Sequence, residues 1–180
     1  RKEKQLLWSV LLINFGFFVV EIITGFFSRS MGLVADSLDM LADAIVYALS
    51  LYAVGQVATK KKQIAKISGY LQMTLAVFGL AEVIRRFMGY EEVPAFHTMI
   101  VISLFALVGN TVSLYLLQRS KSQEAHMQAS MIFTSNDVIV NIGVIIAGAL
   151  VYFTQSKYPD LIVGAIVFLL VAKGSVRILK

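Results

Sequence analysis

The chain has 180 residues, of which 58% are hydrophobic and 15% charged, and it contains no cysteine. Since small soluble domains leave much of their surface in contact with water, a soluble domain of this length could not bury so many apolar side chains. The absence of cysteine excludes a disulfide scaffold, and the mean hydropathy of +0.77 excludes an intrinsically disordered chain. The composition therefore indicates an integral membrane protein.

Six segments of the chain are long and apolar enough to cross a bilayer, for which a helix needs about 20 residues. In chain order they cover residues 6–27, 33–57, 64–88, 94–117, 130–152 and 159–179. Short polar stretches separate them, and almost nothing is left over for another domain. We therefore predict an all-α, multi-pass membrane protein whose residues 1–180 form one transmembrane domain of six helices, with no soluble domain in this chain.

The basic residues are unequally divided between the two sides of the predicted helices. Of the 16 Lys and Arg residues, all but Arg29, Arg85, Arg86 and Lys157 lie on one side. The positive-inside rule then places both termini in the cytoplasm, and the expected location is the bacterial inner membrane. Because topology explains the net charge of +5, we expect the lipid bilayer as a partner and no nucleic acid.

The first and third helices each carry one acid near the outer end. Glu82 precedes Arg86 by four residues, which is the spacing of an ion pair on one helix face, and we interpret this pair as structural. Glu21 has two open interpretations, since it could line a transport pathway or extend toward the outer interface.

The second helix contains three aspartates, Asp36, Asp39 and Asp43. At about 100° per residue, Asp39 and Asp43 lie about 40° apart, and Asp36 falls within the same arc. Carboxylates at this spacing repel each other, and a low dielectric constant strengthens the repulsion, so a bound cation or protons are needed to stabilise them. Asp36 suits a water-filled vestibule near the outer end, whereas Asp39 and Asp43 are predicted to be functional.

The fifth helix supplies a further acid, Asp137, and a lone aspartate within a membrane span usually faces a partner or a cavity. Three carboxylates from two helices provide oxygen ligands for a divalent cation. We therefore predict a metal site formed by Asp39, Asp43 and Asp137. Asn136 is a candidate fourth ligand, although it is rotated by about 100° from Asp137. Asn141 lies one turn further along the helix, nearer the middle of the predicted span, and interhelical hydrogen bonding is the alternative role for both amides.

The two histidines lie near the starts of predicted helices, His97 at the fourth and His126 at the fifth. We interpret both as interfacial residues. An alternative for His126 is that it gathers metal at the cytoplasmic entrance together with Glu124.

Four segments together carry a recognisable pattern. They are Asn14-Phe-Gly with Glu21 and Gly25, the run from Ser30 to Asp43, the run from Asn136 to Val144, and the run from Pro159 to Gly164. With the count of six helices, they make the chain resemble the cation diffusion facilitator family of metal–proton antiporters. The resemblance implies a secondary transporter that exports divalent cations from the cytoplasm in exchange for protons by alternating access. It also implies a homodimer, with no catalytic residue and no resident cofactor.

The family resemblance places the transport site in two acid-containing pairs at i, i+4 spacing on the second and fifth helices. The first pair maps onto Asp39 and Asp43, where many members have histidine at the first position and some have aspartate. In the second pair Asp137 is kept, but Phe133 replaces the usual histidine. An all-oxygen site suits Mn²⁺ or Fe²⁺ better than a histidine-containing one does. Because the family most often transports zinc, Zn²⁺ is the expected cargo, with Mn²⁺, Fe²⁺, Co²⁺ and Cd²⁺ as alternatives.

Many family members carry a cytoplasmic domain after the sixth helix, whereas this sequence stops at Lys180. The expectation is a short form without that domain, the alternative being a trimmed chain. In a short form the homodimer would be held through the membrane helices.

Other functions compete with metal–proton antiport. A passive cation channel is one, and an organic-cation or drug–proton exporter with Phe133 and Tyr47 lining its cavity is another. An intramembrane aspartyl protease is disfavoured because the two closely spaced acids share one helix and Thr-Ser-Asn precedes Asp137, where such enzymes usually have Gly-x-Gly. Metal-dependent proton release would separate antiport from the channel and the exporter.

Overall fold

The computed structural model describes residues 2–53, 57–123 and 125–180. These form α1 (Lys2–Ser28), α2 (Met31–Ala53), α3 (Ala58–Met88), α4 (Phe96–Arg119), α5 (Ala125–Thr154) and α6 (Tyr158–Leu179). The described ranges contain no β-strand, so the all-α fold with six helices is confirmed. The pair Glu124 and His126, considered above for metal entry, lies outside the side chains that the structure describes.

Several helices extend beyond the apolar segments that predict them. α1 begins at Lys2 rather than residue 6, α3 at Ala58 rather than residue 64, and α5 at Ala125 rather than residue 130. Most of the added residues are polar or charged. An apolar segment measures only the hydrocarbon core of the bilayer, and a helix continues beyond that core into the interface.

Five of the six helices, α1 and α3 to α6, are long and apolar enough to span a membrane. The exception is α2, which contains Asp36, Asp39 and Asp43 within its 23 residues. Charged side chains are unfavourable in contact with lipid, so such a helix is not stable at the lipid-facing surface of a membrane protein. The chain is thus a multi-pass membrane protein in which α2 needs the other helices around it.

The position of α2 meets that need, because it contacts each of the other five helices. The most extensive helix pairs are α1 with α2, α4 with α5, and α3 with α6. Asp36 is fully buried and Asp43 is 8% exposed, whereas large apolar side chains cover the outside of the bundle. The acids of α2 therefore lie inside the protein.

Polar contacts join the helix connections at one end of the bundle. We call this the outer end, since it holds the α1–α2, α3–α4 and α5–α6 connections, which carry few basic residues. The predicted pair is present, with Arg86 Nε 2.8 Å from Glu82 Oε1, and Arg85 binds the same carboxylate. Arg86 also donates to the Arg29 carbonyl at 3.3 Å, and Lys157 Nζ donates to the Arg86 carbonyl at 2.7 Å. These bonds link the three connections.

Candidate transport site

Buried polar side chains join three helices near the outer half of α2. Asn141 on α5 donates from Nδ2 to Asp36 Oδ2 at 2.7 Å, and Asn110 on α4 donates to Asn141 Oδ1 at 2.9 Å. All three side chains are fully buried. The Asn110 bond fixes which way the Asn141 amide points, so its N–H group faces the carboxylate. In its charged form Asp36 accepts this bond with added strength.

The deeper part of the site contains Asp43 and Asp137. Asp137 is fully buried, and no N–H or alcohol group of the described residues donates to either of its carboxylate oxygens. Its carboxylate lies close enough to those of Asp43, Asp39 and Asp36 for their negative charges to repel. A buried carboxylate without a donor is costly, since burial removes its hydration without replacing it. The fold thus holds acceptor oxygens ready for protons or a cation.

Tyr47 lies one turn after Asp43 on α2 and bridges to α5. Its hydroxyl is 3.3 Å from the carbonyl oxygen of Ser130 and 3.4 Å from the hydroxyl of Thr134. Its ring is fully buried and packs edge to face against Phe133, with 6.2 Å between the ring centroids. These contacts hold α2 and α5 together on the inner side of Asp43 and Asp137.

Glu21 is fully buried on α1, and no N–H or alcohol group of the described residues donates to either of its carboxylate oxygens. Its carboxyl group is within hydrogen-bonding reach of that of Asp36 when one of the two carries a proton. Of its two open interpretations, extension toward the outer interface does not agree with this burial. Glu21 lies inside the protein, next to the acids of α2.

Asn136 does not join the acids. Its side chain is exposed on α5, whereas that of Asp137 is fully buried. Asn136 is thus separated from the acids in this structure, and its role as a fourth ligand stays a prediction. The physical reason is the rotation of about 100° between consecutive helical residues, which turns Asn136 outward. Asn141 lies only about 40° from Asp137 around the helix, and it is the amide that reaches a carboxylate.

The acids are spread along the bundle. Asp36 and Asp43 are seven residues apart, which corresponds to about 10 Å along the axis of α2. Consistent with this spacing, no three His, Asp or Glu side chains among the described residues form a compact group that could hold a metal ion. Phe133, at the position of the usual histidine, is half-buried against Tyr47. The arrangement is a column of oxygen donors, comprising Glu21, Asp36, Asp39, Asp43 and Asp137, which we call the acid column.

One buried acid was missed as a functional candidate. Asp160, in the first turn of α6, is 1% exposed and accepts hydrogen bonds from the start of α2. In the sequence, an acid in the first turn of a predicted helix suggests only that it stabilises its own helix. The signal that could have found it is the run from Pro159 to Gly164, which contains Asp160 and belongs to the pattern given for the family resemblance.

The chain matches the family model described as the cation efflux transmembrane domain over residues 7–180. Zinc transporter ZitB of Escherichia coli is 30% identical over 93% of this chain and 58% of its own length. A cadmium, cobalt and zinc/H(+)-K(+) antiporter of Bacillus velezensis is 26% identical over 99% of this chain and 61% of its own length. The metal cation efflux system protein CzcD of Cupriavidus metallidurans is 22% identical over 91% and 55%. The chain thus spans little more than half the length of these relatives.

Proposed function

Because this chain belongs to the cation efflux family, we propose that it forms the membrane domain of a secondary transporter that exports divalent metal cations from the cytoplasm in exchange for protons. The observation that carries the proposal is the proximity of two buried acids, Asp43 on α2 and Asp137 on α5, where no N–H or alcohol group of the described residues donates to Asp137. The family is one of transporters, so no catalytic residue and no resident cofactor are assigned.

The proposed site consists of Asp39, Asp43 and Asp137. Asp39 is half-buried between Asp36 and Asp43 on the same helix, and it acts electrostatically on both. With the carboxylates charged, a divalent cation would neutralise their mutual repulsion. With the cation gone, protons would take its place, because buried acids close to one another cannot all stay charged. Competition for the same oxygens thus couples the two fluxes.

Alternating access supplies the direction of transport in this proposal. The acid column lies among the helices. The site must therefore be exposed to one side of the membrane at a time, by movement of the helices against one another. Metal binds when the site faces the cytoplasm and leaves when it faces the outer end, where protons rebind. The topology with both termini in the cytoplasm, which the basic residues predict, defines those two sides.

Zn²⁺ is the proposed cargo, since zinc appears in the names of the relatives from Escherichia coli and Bacillus velezensis. Mn²⁺, Fe²⁺, Co²⁺ and Cd²⁺ are the alternatives. Without a histidine at Phe133, the donors are carboxylate oxygens, which favour Mn²⁺ and Fe²⁺ more than a site with an imidazole would. The relative transport rates of these ions therefore measure how Phe133 affects metal selectivity.

The homodimer also belongs to the proposal, with the membrane helices as its interface. Large apolar side chains are exposed along α1, α3, α4, α5 and α6, and both lipid and a second copy fit such a surface. Cross-linking of the protein in its native membrane would distinguish a dimer from a monomer.

The experiment that tests the function is metal-stimulated proton flux across sealed proteoliposomes, with each of the five cations in turn. We expect saturable flux in the wild-type protein and loss of flux in Asp43→Ala and Asp137→Ala. Asn136→Ala is the matched control on α5, and it should retain flux because its side chain is exposed. Undiminished flux in both aspartate variants would contradict the site assignment.

The same assay distinguishes the competing functions. A passive channel would carry cations without releasing protons, and an organic-cation exporter would respond to organic cations in place of metals. The contact that bears on such an exporter is the edge-to-face packing of Phe133 against Tyr47. These two rings contact each other directly, so the pair fills space between α2 and α5.

A further inference from the structure

A hydrogen-bonded cap joins the start of α2 to the start of α6. Asp160 accepts bonds from the Ser30 hydroxyl at 2.6 Å, from the Met31 N–H at 2.7 Å and from the Gly32 N–H at 3.0 Å. The Ser30 oxygen in turn accepts a bond from the Leu33 N–H at 3.1 Å. Asp160 is 1% exposed and Ser30 is fully buried, so water is poorly placed to replace these bonds.

The cap satisfies the whole first turn of α2. The first four N–H groups of a helix have no partner within that helix and need acceptors from elsewhere. The N–H of Ser30, which precedes the helix, donates to the Gly25 carbonyl oxygen at 3.0 Å, Asp160 accepts from Met31 and Gly32, and the Ser30 hydroxyl oxygen accepts from Leu33. The negative charge of Asp160 also complements the positive end of the α2 dipole. The first turn of α2 is therefore anchored to α6.

Close backbone packing adds a second constraint at the same place. A Cβ atom at Gly164 of α6 would lie 3.1 Å from the backbone carbon and oxygen of Met31. A Cβ atom at Gly32 would lie 2.9 Å from Val163 and 3.0 Å from Asp160 Oδ1. The two helices thus touch through glycines directly beside the cap, where a shift of one against the other would meet backbone.

The rotation and depth of α2 decide where its acids point. Consecutive residues of a helix are separated by about 100° and 1.5 Å, so any rotation or sliding of α2 displaces all its carboxylates together. Asp39 and Asp43 follow the capped turn on the same uninterrupted helix. Their alignment with Asp137 on α5 therefore depends on how α2 is held at its start.

We propose that Asp160 is a positioning residue for the transport site, which sets the rotation and depth at which Asp39 and Asp43 face Asp137 by anchoring the start of α2 to α6. This inference rests on the proposed function where it concerns metal transport. Its structural part, the control of α2 by Asp160, is testable without transport.

Thiol labelling tests the structural part. Residues 1–180 contain no cysteine, so one introduced cysteine is the only thiol within them. Ala44 on α2 is 4% exposed, and Ala106 on α4 is fully buried. Ala44→Cys and Ala106→Cys are each made alone and with Asp160→Asn, and their rates of reaction with a maleimide are compared in the full protein. Asp160→Asn keeps the size of the side chain but replaces one acceptor oxygen with a donor.

We expect Asp160→Asn to accelerate labelling of Ala44→Cys by about tenfold or more, through local opening of α2, and to leave Ala106→Cys unchanged. Equal acceleration at both positions would show general loosening of the bundle and would overturn the proposal. Unchanged labelling at both positions would overturn it as well, since α2 would then be held independently of Asp160.

Transport kinetics test the functional part. We expect Asp160→Asn to raise the half-saturating Zn²⁺ concentration about tenfold, as loss of a group that orients metal ligands typically does. Ser30→Ala should change it in the same direction. Glu91→Gln, whose carboxylate pairs with Arg85 at 3.1 Å outside the cap, should leave it unchanged. A lower maximal rate with unchanged half-saturation would identify a purely structural role. If the wild-type protein shows no flux with any cation, the proposed function fails, while labelling still decides the role of Asp160.

Discussion

Asn141 Nδ2 lies 2.7 Å from Asp36 Oδ2, and this bond connects α5 to α2 at a point where both side chains are fully buried. Asn110 holds the amide in that orientation from α4. The bond places an uncharged donor beside an acid of the column, so Asp36 is stabilised without a fixed cation at that oxygen. This contact also distinguishes Asn141 from Asn136, the other asparagine of α5, whose side chain is exposed.

The first prediction compares those asparagines. Asn141→Ala removes the donor from a buried carboxylate and should lower the stability of the protein by about 1–3 kcal/mol. Asn136→Ala alters an exposed side chain and should change it by less than about 0.5 kcal/mol. Thermal unfolding of the two variants in the same detergent measures the difference. Equal melting temperatures would contradict the importance of the Asn141 bond.

The second prediction concerns pH. Metal binding requires deprotonated carboxylates, so the apparent affinity for Zn²⁺ should rise as the pH rises and fall as the pH falls. Titration of Zn²⁺-dependent flux at several pH values, equal on both sides of the vesicle membrane, measures this dependence. Asp137→Asn removes one titrating ligand, and any residual binding should depend less steeply on pH. A half-saturating concentration independent of pH would argue against competition between protons and metal.

The third prediction addresses Phe133. Phe133→His would place an imidazole four residues before Asp137, on the same face of α5. Nitrogen ligands suit Zn²⁺ better than Mn²⁺, so the ratio of Zn²⁺ to Mn²⁺ transport should increase. Phe133→Leu is the matched control, since it also removes the aromatic contact with Tyr47 but offers no ligand. A rise of the same size in both variants would assign the effect to packing.

The fourth prediction uses two glycines of α6. A Cβ atom at Gly164 would lie 3.1 Å from the Met31 backbone, whereas one at Gly174 would meet nothing within 4 Å. Gly164→Ala should therefore lower stability by about 1–3 kcal/mol, because the Met31 backbone cannot move far enough to accommodate the added methyl group. Gly174→Ala should raise it by about 0.5–1 kcal/mol, since alanine favours a helix interior. Unfolding curves of both variants test the pair, and destabilisation by Gly174→Ala would contradict the space seen there.

Where the sequence predicts well, the property is local and periodic. The six helices follow from apolar length, and the common face of Asp36, Asp39 and Asp43 follows from the helical repeat. The Glu82–Arg86 pair also follows, because the two side chains lie one turn apart on the same helix. The helix starts are predicted less accurately, because the polar residues that continue a helix into the membrane interface have the same composition as a loop.

Contacts between helices are a different matter. Composition, spacing and motif are sufficient to predict the all-α membrane fold, the resemblance to the cation diffusion facilitator family and the acids on α2 and α5. The packing of the helices is needed to show that Asn136 faces outward, that Glu21 lies next to Asp36 and that Asp160 caps α2. Those relationships join residues far apart in the chain. They depend on how the helices rotate and pack against one another, which no repeat within a single helix specifies.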